Sequence, residues 1–167
     1  MSKREVEILL AVQNALYTPA VVTTARTLSH FGEHDLGWLA VAGVGGIVDK
    51  TRRREWATLG VATFSAHAAS VVIKRIVRRA RPHDKRLHIG VKTPSQLSFP
   101  SSHATNTAAA SVIISRMTGS PWPLLGVPIM MVSRMVLGVH YPTDTLAGAA
   151  LGAGVAGVAS YVEKETR

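Results

Sequence analysis

The sequence contains no cysteine. Disulfides, thiol nucleophiles and Cys-type zinc sites are therefore excluded. Aromatic residues make up only 5%, and the apolar runs described below do not look like a base-reading surface, so nucleic acid is not an expected partner. Charge is scarce too, at 17% against about 25% in an average soluble domain. Acidic residues are the rarer sign: 10 Asp and Glu against 19 Lys and Arg, for a net charge of +9. No Asp/Glu grouping suited to a hard cation is visible, so no metal and no other cofactor is expected. The N-terminal stretch MSKREVEILL has no signal-peptide pattern, because Glu5 and Glu7 interrupt it and no A-x-A site follows.

What the sequence does have is apolar length. Hydrophobic residues reach 47% of 167, and the mean hydropathy is +0.19. One domain, residues 1–167, is expected from that length. Six stretches are free of Asp, Glu, Lys and Arg: 8–25, 36–48, 56–73, 93–115, 117–133 and 145–162. A membrane-crossing helix needs about 20 mainly apolar residues. The third, fifth and sixth runs meet that with their flanks, and the second is short. The first holds Gln13, Asn14 and Pro19, which predicts a helix partly in the interface. Six such runs leave too few polar faces for a soluble bundle. The expected fold is all-α, a polytopic membrane bundle of about six helices. Gly148 and Gly152 make a G-x-x-x-G step for close helix contact, within the chain or between chains.

Charge between the runs predicts sidedness. The stretch DKTRRR at 49–54, Lys3 and Arg4 before the first run, and Lys164 and Arg167 after the last are all basic. The positive-inside rule puts them, and with them both termini, in the cytoplasm. Six crossings then leave 30–35, 78–102 and 140–144 outside. The 78–102 loop is nevertheless basic, which calls for a reason.

Three short pieces fall on that outer side. In KRIVRRARP, Lys74 is followed after six residues by Arg81 and Pro82. PSSH spans 100–103. In SRMVLGVHYPTD, Arg134 is followed by His140 and then Asp144. Lys74 and Arg134 lie at or inside apolar runs, where a charge is costly unless partnered or snorkelling. Together with Arg81, they either snorkel to headgroups or converge as a phosphate clamp. Ser101 or Ser102 can cap the helix that follows, and its free N–H groups favour an anion. Next to them, His103 is structural or catalytic. A carboxylate at Asp144 can fix the tautomer of His140 and leave its other nitrogen free. Two histidines and three cations suit phosphoryl transfer: one imidazole attacks phosphorus, the other protonates the leaving oxygen, and the cations stabilise the equatorial oxygens.

In order, K-x6-RP, PS-x-H and SR-x5-H-x3-D resemble the type 2 phosphatidic acid phosphatase superfamily (PAP2). The resemblance implies a six-helix membrane bundle with its site at the extracytoplasmic face and a lipid-phosphate substrate. It implies that Lys74, Arg81 and Arg134 bind the phosphate with Ser101 and the backbone at Ser102. It implies His140 as nucleophile, Asp144 as its orienting partner and His103 as general acid. Ser102 stands where the family usually has glycine. Within the family, the short chain with PSSH and HYPTDTLAGA is similar to members that dephosphorylate a decaprenyl-linked phosphoribose. Undecaprenyl diphosphate, phosphatidylglycerophosphate and phosphatidic acid are the alternatives.

Four cations are left over by the motifs: Arg78, Arg79, Lys85 and Arg86. They are expected to hold a second phosphate or headgroup of the substrate, or to form a solvated collar facing membrane lipids. Vanadium haloperoxidases share the constellation but are larger and soluble. A non-enzymatic membrane protein binding anionic headgroups would explain the charge, though not two histidines at these spacings.

Overall fold

The computed structural model describes residues 3–166, so Arg167 lies outside the described residues. Among these, there are seven α-helices and no strand beyond an isolated bridge between Ala80 and Leu97. The helices are α1 (Lys3–Leu16), α2 (Pro19–Phe31), α3 (Leu36–Val48), α4 (Arg53–Val77), α5 (Ser102–Thr118), α6 (Gly126–Val136) and α7 (Pro142–Glu165). The all-α membrane bundle expected from the sequence is observed. α4 and α7 are long and apolar enough to cross a bilayer alone. Large apolar side chains such as Val61, Phe64, Ile76, Leu146 and Val158 are exposed on them, as lipid-facing surfaces require.

One expectation about the runs fails. The 117–133 run is not one long span. Gly119, at φ +66°, ends α5 in a left-handed cap. A 3-10 turn at Trp122–Leu125 follows, and α6 has only 11 residues.

The first run is also broken. Thr18 caps α2 and Pro19 takes its first position, where the missing N–H cannot extend α1. The α1–α2 pair is bent by 117°. Both of its ends lie at one end of the bundle. Glu5 bonds Thr143 at the start of α7, and the Ser29 carbonyl meets His103 at the start of α5. The pair thus folds back on itself at that end of the bundle. Five helices, α3 to α7, connect the two ends, so the N- and C-terminal helices finish at opposite ends. At the far end, Arg54 reaches Thr166 near the end of α7. The start of α1 and the end of α7 thus lie at opposite ends of the bundle, where the sequence led to the expectation of both termini on one side.

α5 runs through the middle, with Ala104, Ala108, Ala109 and Ala110 buried against α4 and α7. Its small side chains allow close approach. A Cβ at Gly152 would sit 2.0 Å from the Thr105 carbonyl oxygen, and one at Gly148 2.6 Å from that of Ser101. The G-x-x-x-G step is thus used inside the chain, and it fixes the start of α7 against the start of α5.

Candidate active site

The ends of α4 and α6 and the starts of α5 and α7 meet at the end of the bundle that holds α1. The 78–101 loop closes over them. Its backbone is pinned by Arg81 N–H to the Gln96 carbonyl at 3.1 Å and Ser98 N–H to the Arg79 carbonyl at 2.7 Å. A cavity of about 580 Å³ opens there, lined among others by Lys74, Arg81, Ser102, His103, Arg134 and His140. Ser101 and Asp144 stand directly behind it, both fully buried. The motif residues, up to 70 positions apart in the sequence, are brought together.

Lys74 is buried and donates to the carbonyls of Pro100 at 2.8 Å and Leu97 at 3.3 Å. Arg81 donates to the carbonyls of Ser95 and Val139, each at 2.7 Å. Its guanidinium also lies 3.1 Å from Nε2 of His140. Arginine only donates, so Nε2 accepts and the ring proton belongs on Nδ1, toward Asp144. Burial, with Arg81, Arg134 and Lys74 nearby, pushes the His140 pKa well below its ordinary value, so the ring is neutral. Arg134 is 1% exposed, and its Nε and Nη1 have no hydrogen-bond partner. A buried guanidinium with unmet donors is destabilising unless an anion completes it.

Ser101, not Ser102, is the N-cap of α5, its Oγ accepting weakly from Ala104 N–H at 3.5 Å. Its own N–H donates to the Asp144 carbonyl at 3.0 Å, which ties the two helix starts together. The hydroxyl of Ser102, absent from the family's usual glycine, lies 2.8 Å from Oγ of buried Ser70 on α4. Nε2 of His103 lies 2.9 Å from the Ser29 carbonyl. A carbonyl only accepts, so Nε2 carries the proton and Nδ1 is the nitrogen left for reaction.

The four leftover cations behave differently from the expectation. Arg79 is not spare: it donates to Asp144 Oδ1 at 2.8 Å, to Thr143 at 2.7 Å and to Glu5 at 2.5 Å. Its guanidinium also lies 4.1 Å over the Tyr141 ring. Arg86 pairs with Asp84 and Glu7, each at 3.0 Å. Both are occupied because α1 brings its acidic residues to this end, a placement that local patterns did not reveal. Arg78 and Lys85 are exposed outside the cavity. Sequence reasoning also missed Arg75 and Lys92, which do line it. Nothing separated Arg75 from the other basic residues at the end of α4.

Comparison with known proteins agrees with this geometry. Residues 55–167 match the family described as the PAP2 superfamily. The decaprenylphosphoryl-5-phosphoribose phosphatase of Mycobacterium tuberculosis is 52% identical over 159 residues, covering 95% of this chain and 90% of that protein. The protein of that name from Mycolicibacterium smegmatis is 55% identical over 142 residues, covering 84% and 79%. Among solved structures, the transmembrane PAP2-type phosphatidylglycerolphosphate phosphatase of Bacillus subtilis aligns with a TM-score of 0.76 at 20% identity, covering 99% of this chain and 89% of that one. LpxE of Aquifex aeolicus aligns at 0.80 and 17%, covering 93% and 94%. On the family match and the two mycobacterial relatives, the chain belongs to the PAP2 superfamily of membrane lipid phosphatases.

Proposed function

We propose that this protein, acting as one catalytic domain, hydrolyses the 5-phosphate of decaprenylphosphoryl-5-phosphoribose. The products are decaprenylphosphoryl-ribose and phosphate, in arabinan cell-wall synthesis. The substrate is taken from the two mycobacterial relatives. The observation that carries the chemistry is the buried Arg134, with Nε and Nη1 unpartnered, beside a neutral His140 whose Nε2 is the accepting nitrogen.

In this reading, Lys74, Arg81, Arg134 and the N–H groups at the start of α5 hold the phosphoryl oxygens. Arg81 shifts its donor from His140 to the phosphate. Nε2 of His140 attacks phosphorus, a P–N bond forms, and the P–O bond to the ribose oxygen breaks. When the phosphate dianion enters the clamp, the His103 ring takes up a second proton from solvent at Nδ1, with Nε2–H kept on the Ser29 carbonyl, and gives that Nδ1 proton to the departing oxygen. Asp144 steadies the positive charge on the phosphorylated ring. Water then attacks the phosphohistidine, His103 takes its proton, and phosphate leaves. The cations act on charge spread over the equatorial oxygens. We assign the cavity to the extracytoplasmic side and residues 49–54 and the end of α7 to the cytoplasm, by the positive-inside rule.

The test is phosphate release by detergent-solubilised protein from this lipid, phosphatidylglycerophosphate, phosphatidic acid and undecaprenyl diphosphate. Highest kcat/KM is expected for the first. A preference for another lipid would overturn the substrate, and no release from any would overturn the enzyme reading.

A further inference from the structure

Five cations line the cavity among the described residues: Lys74, Arg75, Arg81, Lys92 and Arg134. Three are the phosphate clamp. Arg75 projects from the last turn of α4, and Lys92 from the 78–101 loop that closes the cavity. Both are exposed, and neither forms an ion pair or side-chain hydrogen bond. That sets them apart from Arg79 and Arg86, whose charges are taken by carboxylates. The single carboxylate on the cavity lining, Glu33, faces His30 at 3.7 Å.

A phosphate monoester carries roughly two negative charges at neutral pH. The three clamp cations already exceed that. The cavity, at about 580 Å³, is also far larger than one phosphate group fills and falls within the range of about 300–1,000 Å³ for whole small-molecule sites. Val71, Val91 and Leu97 give its wall an apolar part, against which a sugar face or the first prenyl unit can lie.

We infer that Arg75 and Lys92 form a second anion subsite in this cavity, which holds the phosphodiester joining sugar to lipid while the terminal phosphate occupies the clamp. The substrate is thereby gripped at two phosphates with the sugar between them. This rests on the reading of the substrate above, and it replaces the earlier expectation that Arg78, Arg79, Lys85 and Arg86 serve that role.

The experiment compares wild type with Arg75→Gln, Lys92→Gln, and a control pair, Arg78→Gln and Lys85→Gln, which are exposed cations outside the cavity. Two probes are read in detergent micelles: KM for decaprenylphosphoryl-5-phosphoribose, and the inhibition constant of inorganic vanadate, a single anion that reports the clamp alone. Each cavity variant should raise KM about tenfold, as expected for losing one exposed charge-assisted hydrogen bond. kcat and vanadate inhibition should not change, and the control pair should stay at the wild-type value. The subsite is overturned if the controls raise KM equally, if vanadate inhibition weakens in step, or if neither cavity variant alters KM. If the wild type releases no phosphate from this lipid, the substrate reading fails and the subsite falls with it.

Discussion

Nδ1 of His140 lies 3.7 Å from Oδ2 of Asp144 and makes no hydrogen bond. The carboxylate is held elsewhere. Its Oδ2 accepts from the Tyr141 N–H at 2.8 Å, closing a capping box on α7, and its Oδ1 accepts from Arg79 at 2.8 Å. Asp144 is thus fixed as part of a helix cap, with the imidazole brought up beside it. A small rotation of His140 on phosphate binding would complete the contact, because its other nitrogen is tied only to Arg81.

That arrangement predicts a separation between charge and scaffold. Asp144→Asn should keep substrate binding and lose kcat by on the order of 10³–10⁴-fold, as when a histidine loses its carboxylate partner in other hydrolases. Arg79→Ala leaves the carboxylate in place but strips one partner from a buried charge. It should lower stability by about 1–3 kcal/mol and reduce kcat less than Asp144→Asn does. Thermal melts in detergent and initial rates measure both. A rate loss for Arg79→Ala equal to that of Asp144→Asn would mean that Arg79 acts directly on the reaction.

Packing at the α5–α7 contact predicts a second contrast. Gly152→Ala forces a Cβ to within 2.0 Å of the Thr105 carbonyl oxygen, whereas Gly154 faces open space. The first should destabilise by about 1–3 kcal/mol or more through overpacking, and Gly154→Ala should not destabilise. Equal melting temperatures for the two variants would show that α5 and α7 separate more readily than their packing implies.

How much of this was legible in the sequence differs by residue. The motif residues Lys74, Arg81, His103, Arg134, His140 and Asp144 could be grouped from their chemistry, since two imidazoles, a carboxylate and three cations suit phosphoryl transfer, and from their resemblance to the PAP2 motifs. The fold-back of α1 and α2 was not legible. Pro19 marked the break, but nothing local says whether a chain turns back after it, and Glu5 finds Arg79 across 74 positions. Arg75 and Lys92 were hidden for the opposite reason: their neighbours Arg78, Arg79, Lys85 and Arg86 look alike in sequence, and only the cavity wall separates them.

The fold-back of α1 and α2 leads to the proposal that the pair is re-entrant, which is easily tested in a chain without cysteine. Single-cysteine variants at Arg4, Lys85 and Arg53 can be labelled with an impermeant maleimide on intact cells. Arg4→Cys and Lys85→Cys should label together from outside, and Arg53→Cys only after permeabilisation. If Arg4→Cys labels with Arg53→Cys, the pair crosses the membrane. If the whole pattern reverses, the cavity faces the cytoplasm.

The clamp supplies its positive charge from side chains, so phosphate release should persist in excess EDTA. Orthovanadate should inhibit competitively, as a five-coordinate mimic held by His140 and the three cations. Activity that vanishes with EDTA and returns with Mg²⁺ would contradict the mechanism.

The two histidines should separate by leaving group. His140→Ala removes the proposed nucleophile, so neither a lipid phosphate nor an aryl phosphate should form a phosphoenzyme. His103→Ala removes only the proton donor. Its ring is oriented by the Ser29 carbonyl on Nε2, which leaves Nδ1 to serve the departing oxygen. A sugar alkoxide leaves poorly without a proton, whereas p-nitrophenolate leaves without much help. General acid catalysis contributes about 10²–10⁴-fold, so His103→Ala should lose that much more on the lipid than on p-nitrophenyl phosphate. Ser29 supports His103 through its backbone, so Ser29→Ala should preserve the effect of the wild-type histidine and serve as a control for local disturbance. Initial rates on both substrates decide the matter. Substantial aryl phosphatase activity in His140→Ala, or equal losses on both substrates in His103→Ala, would show that the roles are assigned to the wrong rings even though the family is right.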